Sequence, residues 1–268
     1  MPLPIVSWTD FRFPNWSLIA GTPLLGYDVD KLSDRDPSNP LWIQETTIGL
    51  QGALPAAQRV DVVTIHHHSF KAGTKVRLEM SNSPVWTSPP VRIDVIVPPW
   101  TADGFAPHLV FDVAAAYPSI ATRTLSYLHV TNVTANTNAI LIGEIAVGGV
   151  LQNLMSGMLI PLHVSTEWGV TYAQGKKGPR YVHDRRTRAR AWSAQLSLQP
   201  GYWDAFRNVL AASKAMLYPM LVWPTNLRSD EPVLGRWSAP SLEENYPESN
   251  LLVTTDATFE ELACGEAY

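Results

Sequence analysis

The sequence predicts a mostly-β protein: an N-terminal jelly-roll β-sandwich over residues 1–150 and, over 151–268, an antiparallel sheet packed by one helix. Three observations point there. Up to about Gly149 the chain is a succession of short apolar runs broken by Pro, Gly, Asn and Asp, in a chain that holds 22 prolines and 16 glycines. Within the runs, apolar residues recur at every second position, the period of a strand with one buried face. A single segment, "PGYWDAFRNVLAASKA", spaces its apolar residues as a helix does. At 268 residues there is room for two domains of ordinary size, about 100–150 residues each.

In the first half the strands are "RVDVVTIHH", "TKVRLEMSN", "VRIDVIV", "LSYLHVTNV" and "AILIGEIAVG". The second alternates cleanly, with Val76, Leu78 and Met80 on one face and Lys75, Arg77 and Glu79 on the other. The Ser, Asn and Pro of "SNSPVW" then favour a turn over a ladder. Several antiparallel strands joined by turns imply a sandwich or jelly roll. After Gly149 come a strand in "LIPLHVSTEWGVTYA", the basic stretch "KKGPRYVHDRRTRARAW", and a strand in which Trp192, Ala194, Leu196 and Leu198 face one way. A helix is expected at about 200–214, because Pro200 suits a first turn and Trp203, Phe206 and Leu210 form one apolar stripe. Strands "MLYPMLVW", "VLGRWSAP" and "SNLLVTTDATFEEL" complete the order, with the domains dividing near Val150–Gly157.

Composition narrows the function. One cysteine, Cys264, excludes an internal disulfide and an all-cysteine metal site. No apolar run approaches the ~20 residues of a membrane span, and "MPLPIVSWTD" has no basic segment leading into an apolar one, so a soluble product made in a cytoplasm is expected. The net charge of −4 conceals two poles. Seven of the 20 basic residues lie between Lys176 and Arg190 with one acid, Asp184; from Glu243 onward there are seven acids and no base.

Three adjacent histidines, His66, His67 and His68, invite a metal reading, with a hydrolase built around His66 and His68 as the enzymatic alternative. In a regular strand, however, at most two of them share a face, and no HExxH helix or second spaced pair supplies the third ligand that zinc catalysis needs. His108 and His129 are candidates without a motif. No G-x-S-x-G elbow, P-loop or G-x-G-x-x-G is present. The expectation is therefore a protein without catalysis, cofactor or metal, in which the histidines end a strand. Trp42, Trp86 and Trp100 lie in or beside loops, where aromatics stack on sugars or cap a core; with His68 they are the candidate ligand-binding residues. Arg185, Arg186, Arg188 and Arg190 are dense enough to neutralise phosphates, but the acidic remainder argues against nucleic acid, and they are expected in a solvated or interface loop.

Residues 1–150 resemble the galactose-binding-like, discoidin-type jelly roll found in bacteriophage tail proteins. The segments that carry the resemblance are "KLSDRDPSNPLWI", "ALPAAQRVDVVTIHHHSFKAGTKVRLEMSNSP" and "TRTLSYLHVTNVTANTNAILIGEIAVGG". His68 stands at the family's common histidine and Ser69 where Asn is frequent. The second half, with "MLYPMLVWP" and "VLGRW", is similar to the sheet-plus-helix unit of distal-tail and tail-tube proteins. The resemblance implies a structural component of a phage tail tip or baseplate. It implies a homo-oligomeric ring, six-fold or alternatively three-fold, with tail-tube, hub or tape-measure neighbours, in a virion assembled in the host cytoplasm. The two charge poles would then make Arg185, Arg186, Arg188 and Arg190 its assembly interface, meeting the acidic terminal region of a neighbouring copy or of another tail protein. A carbohydrate-binding module for host surface glycans is the alternative function, and no membrane insertion is expected.

Overall fold

The structure, a computed structural model, describes residues 5–8, 14–34, 39–99, 108–148, 150–153, 158–174, 180–198, 220–223, 233–237, 253–261 and 264–265; beyond residue 149 it describes chiefly the path of the backbone. In chain order the strands of the first half are β1 (Ile5–Trp8), β2 (Asn15–Ala20), β3 (Leu41–Ile43), β4 (Gly49–Arg59), β5 (Val62–His68), β6 (Lys75–Ser81), β7 (Val91–Ile96) and β8 (Leu109–Asp112). A one-turn helix, α1 (Val113–Ala116), precedes β9 (Thr124–Asn132) and β10 (Ile140–Gly148). The second half contributes β11 (Val150–Asn153), β12 (Met158–Gln174), β13 (Arg180–Leu198), β14 (Met220–Trp223), β15 (Val233–Trp237), β16 (Val253–Glu261) and β17 (Cys264–Gly265). The expected helix at about 200–214 lies outside the described residues.

The protein is mostly β, as its sequence predicts. Strands pair in the order β2-β4-β9-β6-β7 in one sheet and β3-β10-β5-β8 in another, all antiparallel. These two layers form the jelly-roll sandwich, and between them lies one core drawn from both. Leu50, Val76, Leu78, Met80, Leu128 and Val130 come from the first sheet, and Ile43, Val63, Ile65, Phe111, Ile142 and Ile145 from the second. Burying side chains of this size stabilises by about 1.5–3 kcal/mol each, which is why the period-two pattern fixes which face turns inward.

Polar side chains tie the connections down. Asn132 accepts from the Ile48 N–H at 2.7 Å and donates to the carbonyls of Thr46 and Thr134; Asn136 accepts from the Lys71 N–H and donates to those of Ser69 and Asn138. At the far end Asp61, wholly buried, accepts from Arg59 at 2.9 and 2.6 Å and from Arg123 at 2.7 Å. Arg123 also donates to the carbonyls of Tyr117 and Pro118, so a buried charge is compensated on every side.

The third sheet runs β11-β1-β14-β15-β16-β13-β12, with β17 pairing β13. Two sequence expectations change here. Ile5–Trp8, counted with residues 1–150, pairs with β11 and β14, so the chain starts in this sheet before entering the sandwich. The basic stretch, expected as a loop, is largely strand: β12 and β13 form a long hairpin in which Trp168 opposes Arg188 and Thr166 opposes Arg190, with a register shift between Trp168 and Val170. Strand propensity in a segment that alternates charge with small and aromatic residues was hidden by its arginine density.

Candidate binding site on the five-stranded sheet

Paired residues of an antiparallel ladder project to the same face. Ser17, Gln51, His129, Glu79 and Arg92 are successive cross-strand partners on β2, β4, β9, β6 and β7. They form one polar row across the outer face. Their neighbours along the strands, Leu50, Val130 and Leu78, point into the core and hold the row's backbone in place.

The row is knitted together. The Ser17 hydroxyl donates to the Gln51 carbonyl at 3.3 Å, Arg92 Nε donates to Glu79 Oε1 at 2.8 Å, and His129 Nδ1 lies 3.0 Å from Glu79 Oε2. Over it folds Trp86, from the loop between β6 and β7. Its indole stacks on the His129 ring with centroids 4.8 Å apart and planes at 26°, and its Nε1 donates to Gln51 Oε1 at 3.4 Å. The loop is stiffened by Pro84, Pro89 and Pro90, each with φ fixed by its ring. It is pinned by the Ser83 N–H on the Ser81 hydroxyl and by the Ser126 hydroxyl on Asn82. Glu79, flanked by Arg92 and His129, is only 5% exposed although it lies on the outer face. In the next row Arg77 forks onto Asp94 at 2.6 and 2.9 Å, and this hydrogen bonding holds the Asp94 carboxyl below its ordinary value.

Among the described candidate ligand-binding residues, Trp86 alone packs on this row. Trp42 is on β3 in the opposite sheet, edge-on to Tyr27 at 5.7 Å. Trp100 lies outside the described residues. His68 is wholly buried, tilted against Phe70 at 5.3 Å, with Nδ1 accepting from the Phe70 N–H. The three that are described do not converge on one site. Gln51, Glu79 and Arg92 escaped the sequence reading, and His129 was weighed there only as a metal ligand. The available signal was the alternation itself, which set Glu79 opposite the core face without saying which strand would lie beside it.

All three consecutive histidines end strand β5 and are buried, at 1, 7 and 0% exposure. Their faces also differ from a regular strand, since His67 is left-handed at φ 51° and strict alternation does not pass through it. His68 opposes Ile142 of the core, whereas His66 opposes Glu144. The His66 ring meets His108 at 4.4 Å and the Thr64 hydroxyl at 2.7 Å, while His108 Nε2 lies 3.4 Å from Glu261 Oε1 at the end of β16. Burial, reinforced by the neighbouring His108 and His68, holds His66 well below the ordinary imidazole range, so it stays neutral. Among the described residues no group of three His, Cys, Asp or Glu is arranged to hold a metal ion. Arg185, Arg186, Arg188 and Arg190 are placed on β13 by the backbone alone.

No family model and no curated protein matches the chain. Among solved structures it is similar to a Clostridium perfringens CBM32 module in complex with GlcNAc-α-1,4-galactose, at 14% identity over 53% of this chain and 94% of that one, TM-score 0.37. It is also similar to a Streptococcus pneumoniae fucose-binding module, at 9% identity over 54% and 96% of the two chains, TM-score 0.39. A third is the lectin domain of lectinolysin complexed with Lewis B antigen, at 13% identity over 52% and 95%, TM-score 0.38. Likenesses at this level carry neither fold nor function across, and both rest on the residues and pairings of the chain itself.

Proposed function

We propose that the jelly roll is a saccharide-binding module whose contact face is the Trp86-roofed row, and that the chain acts by recognition rather than turnover. The observation that supports this is the Trp86 indole stacked on His129, with Gln51, Glu79 and Arg92 locked beside it by hydrogen bonds. A sugar ring offers an apolar C–H face edged by hydroxyls, which an aromatic plane flanked by planar polar side chains complements. Because these side chains already hold one another, little ordering remains to be done on binding. The test is glycan-array screening followed by calorimetry on the full chain. Trp86→Ala is expected to weaken binding at least about tenfold, or ~1.4 kcal/mol, with Trp42→Ala unchanged. Equal affinities for the two variants would reject this face.

A second reading is the ring-forming tail-tip component that the sequence resemblance implies. What supports it is strand β12, which has 17 residues and is paired with β13 alone among the described residues, so that it offers a long open row of backbone donors and acceptors. The adjoining basic stretch would complement the acidic C-terminal region of another copy. Replacing Arg185, Arg186 and Arg188 by Ser should weaken self-association in sedimentation velocity and flatten its salt dependence. A parent protein that stays monomeric at every concentration rejects the ring.

A further inference from the structure

Resting on the saccharide-binding reading, we infer that the site takes a neutral saccharide and reads one hydroxyl by making it donate to His129 Nε2 while accepting from the Gln51 amide. The polarity of each group follows from its partner. Glu79, ion-paired with Arg92 through Oε1 at 2.8 Å, meets His129 Nδ1 through Oε2 at 3.0 Å. A carboxylate only accepts, so a proton is on Nδ1, and Nε2 can only accept whenever the ring carries that proton alone. His129 is the cross-strand partner of Glu79 on β6 and of Gln51 on β4, so the ring that meets Glu79 through Nδ1 belongs to the residue paired with Gln51.

The indole N–H, in turn, only donates. Its 3.4 Å contact with Gln51 Oε1 therefore sets the amide, occupying the oxygen and leaving the NH2 group to donate elsewhere. An acceptor on β9 and a donor on β4 thus belong to directly paired residues of adjacent strands. That pair matches a hydroxyl, which gives one hydrogen bond and takes others; a methyl ether or a carboxylate can answer the donor but not the acceptor. Charge points the same way, because Arg92 is compensated by Glu79 and, one row over, Arg77 by Asp94 at 2.6 Å. The row holds no uncompensated cation to draw a uronic or sulfated sugar.

Discrimination by such a pair is strong because the losing ligand leaves a half-buried polar group without its partner. The experiment titrates the full chain, by calorimetry at neutral pH, with methyl glycosides of galactose, glucose and N-acetylglucosamine and with the galacturonic and glucuronic acid counterparts. Monodeoxyfluoro analogues of each binder follow, since fluorine cannot donate. The uronic acids are expected to bind no tighter than their neutral parents. One fluorinated position should cost at least about tenfold in the parent protein, but under about threefold in His129→Gln, whose amide can turn a donor toward fluorine. Uronic acids binding about tenfold tighter, or no fluorine penalty that depends on His129, would overturn the inference and leave the module reading intact, provided Trp86→Ala still weakens binding at least about tenfold. No binding by any glycoside, or binding indifferent to Trp86, overturns both.

Discussion

His66 shows how a single residue couples the sandwich to the strands that follow it. Its ring is 1% exposed, faces His108, Thr64 and the Glu144 strand, and through His108 touches Glu261. Burial keeps it neutral in the folded state, so its folded value lies below the unfolded one of about 6.5. Above that pH both states carry a neutral ring and stability does not depend on it. Below it the unfolded chain binds a proton that the folded chain refuses, and stability falls by up to ~1.4 kcal/mol per pH unit until the folded value is reached. Denaturant titrations between pH 8 and 5 should therefore show a decline that His66→Gln largely removes. A parallel decline in the variant would assign the acid sensitivity to other groups.

The strand pairings explain residues that composition leaves anonymous. Gly52 of β4 passes beneath β2 so closely that an added Cβ would meet Pro14 Cβ at 2.8 Å and Trp16 Cζ3 at 2.9 Å. Trp16 is a core residue, so a larger side chain would push the edge strand β2 off the sheet. Gly52→Val is expected to cost about 1–3 kcal/mol in chemical denaturation, and Gly26→Ala, whose Cβ would meet nothing within 4 Å, serves as a comparison in which only the positive φ of 86° is strained. A second close approach occurs in the other sheet. A Cβ on Gly235 of β15 would lie 2.6 Å from the Glu260 carbonyl oxygen, which explains why the "VLGRW" strand carries glycine where β16 crosses it. At this scale the sequence was partly legible. The alternation in β6 correctly placed Val76, Leu78 and Met80 inward, whereas the left-handed His67 broke the same rule one strand earlier.

Across the whole molecule, the core cluster between the two jelly-roll sheets draws on residues from Trp16 to Val147, so this unit carries its own hydrophobic core. The fragment 14–148 should unfold cooperatively by itself and retain saccharide binding, since Gln51, Glu79, Trp86, Arg92 and His129 all lie within it. It should be less stable than the full chain, because His108 loses its contact with Glu261. An insoluble or non-cooperative fragment would show that the sandwich depends on the third sheet. What the sequence determined by itself was what local physics can encode: the β class, the alternation that divides core from surface, the turn after β6, and the absence of recognisable nucleophile and metal motifs. What the tertiary structure alone decided was adjacency. Ile5–Trp8 joins a sheet whose other strands begin at residue 150, and Gln51, Glu79, Arg92 and His129 become a single row, because register between strands far apart in the chain is set by the packing of both faces at once. Periodicity states which way a side chain points; only the closed sandwich states what it points beside.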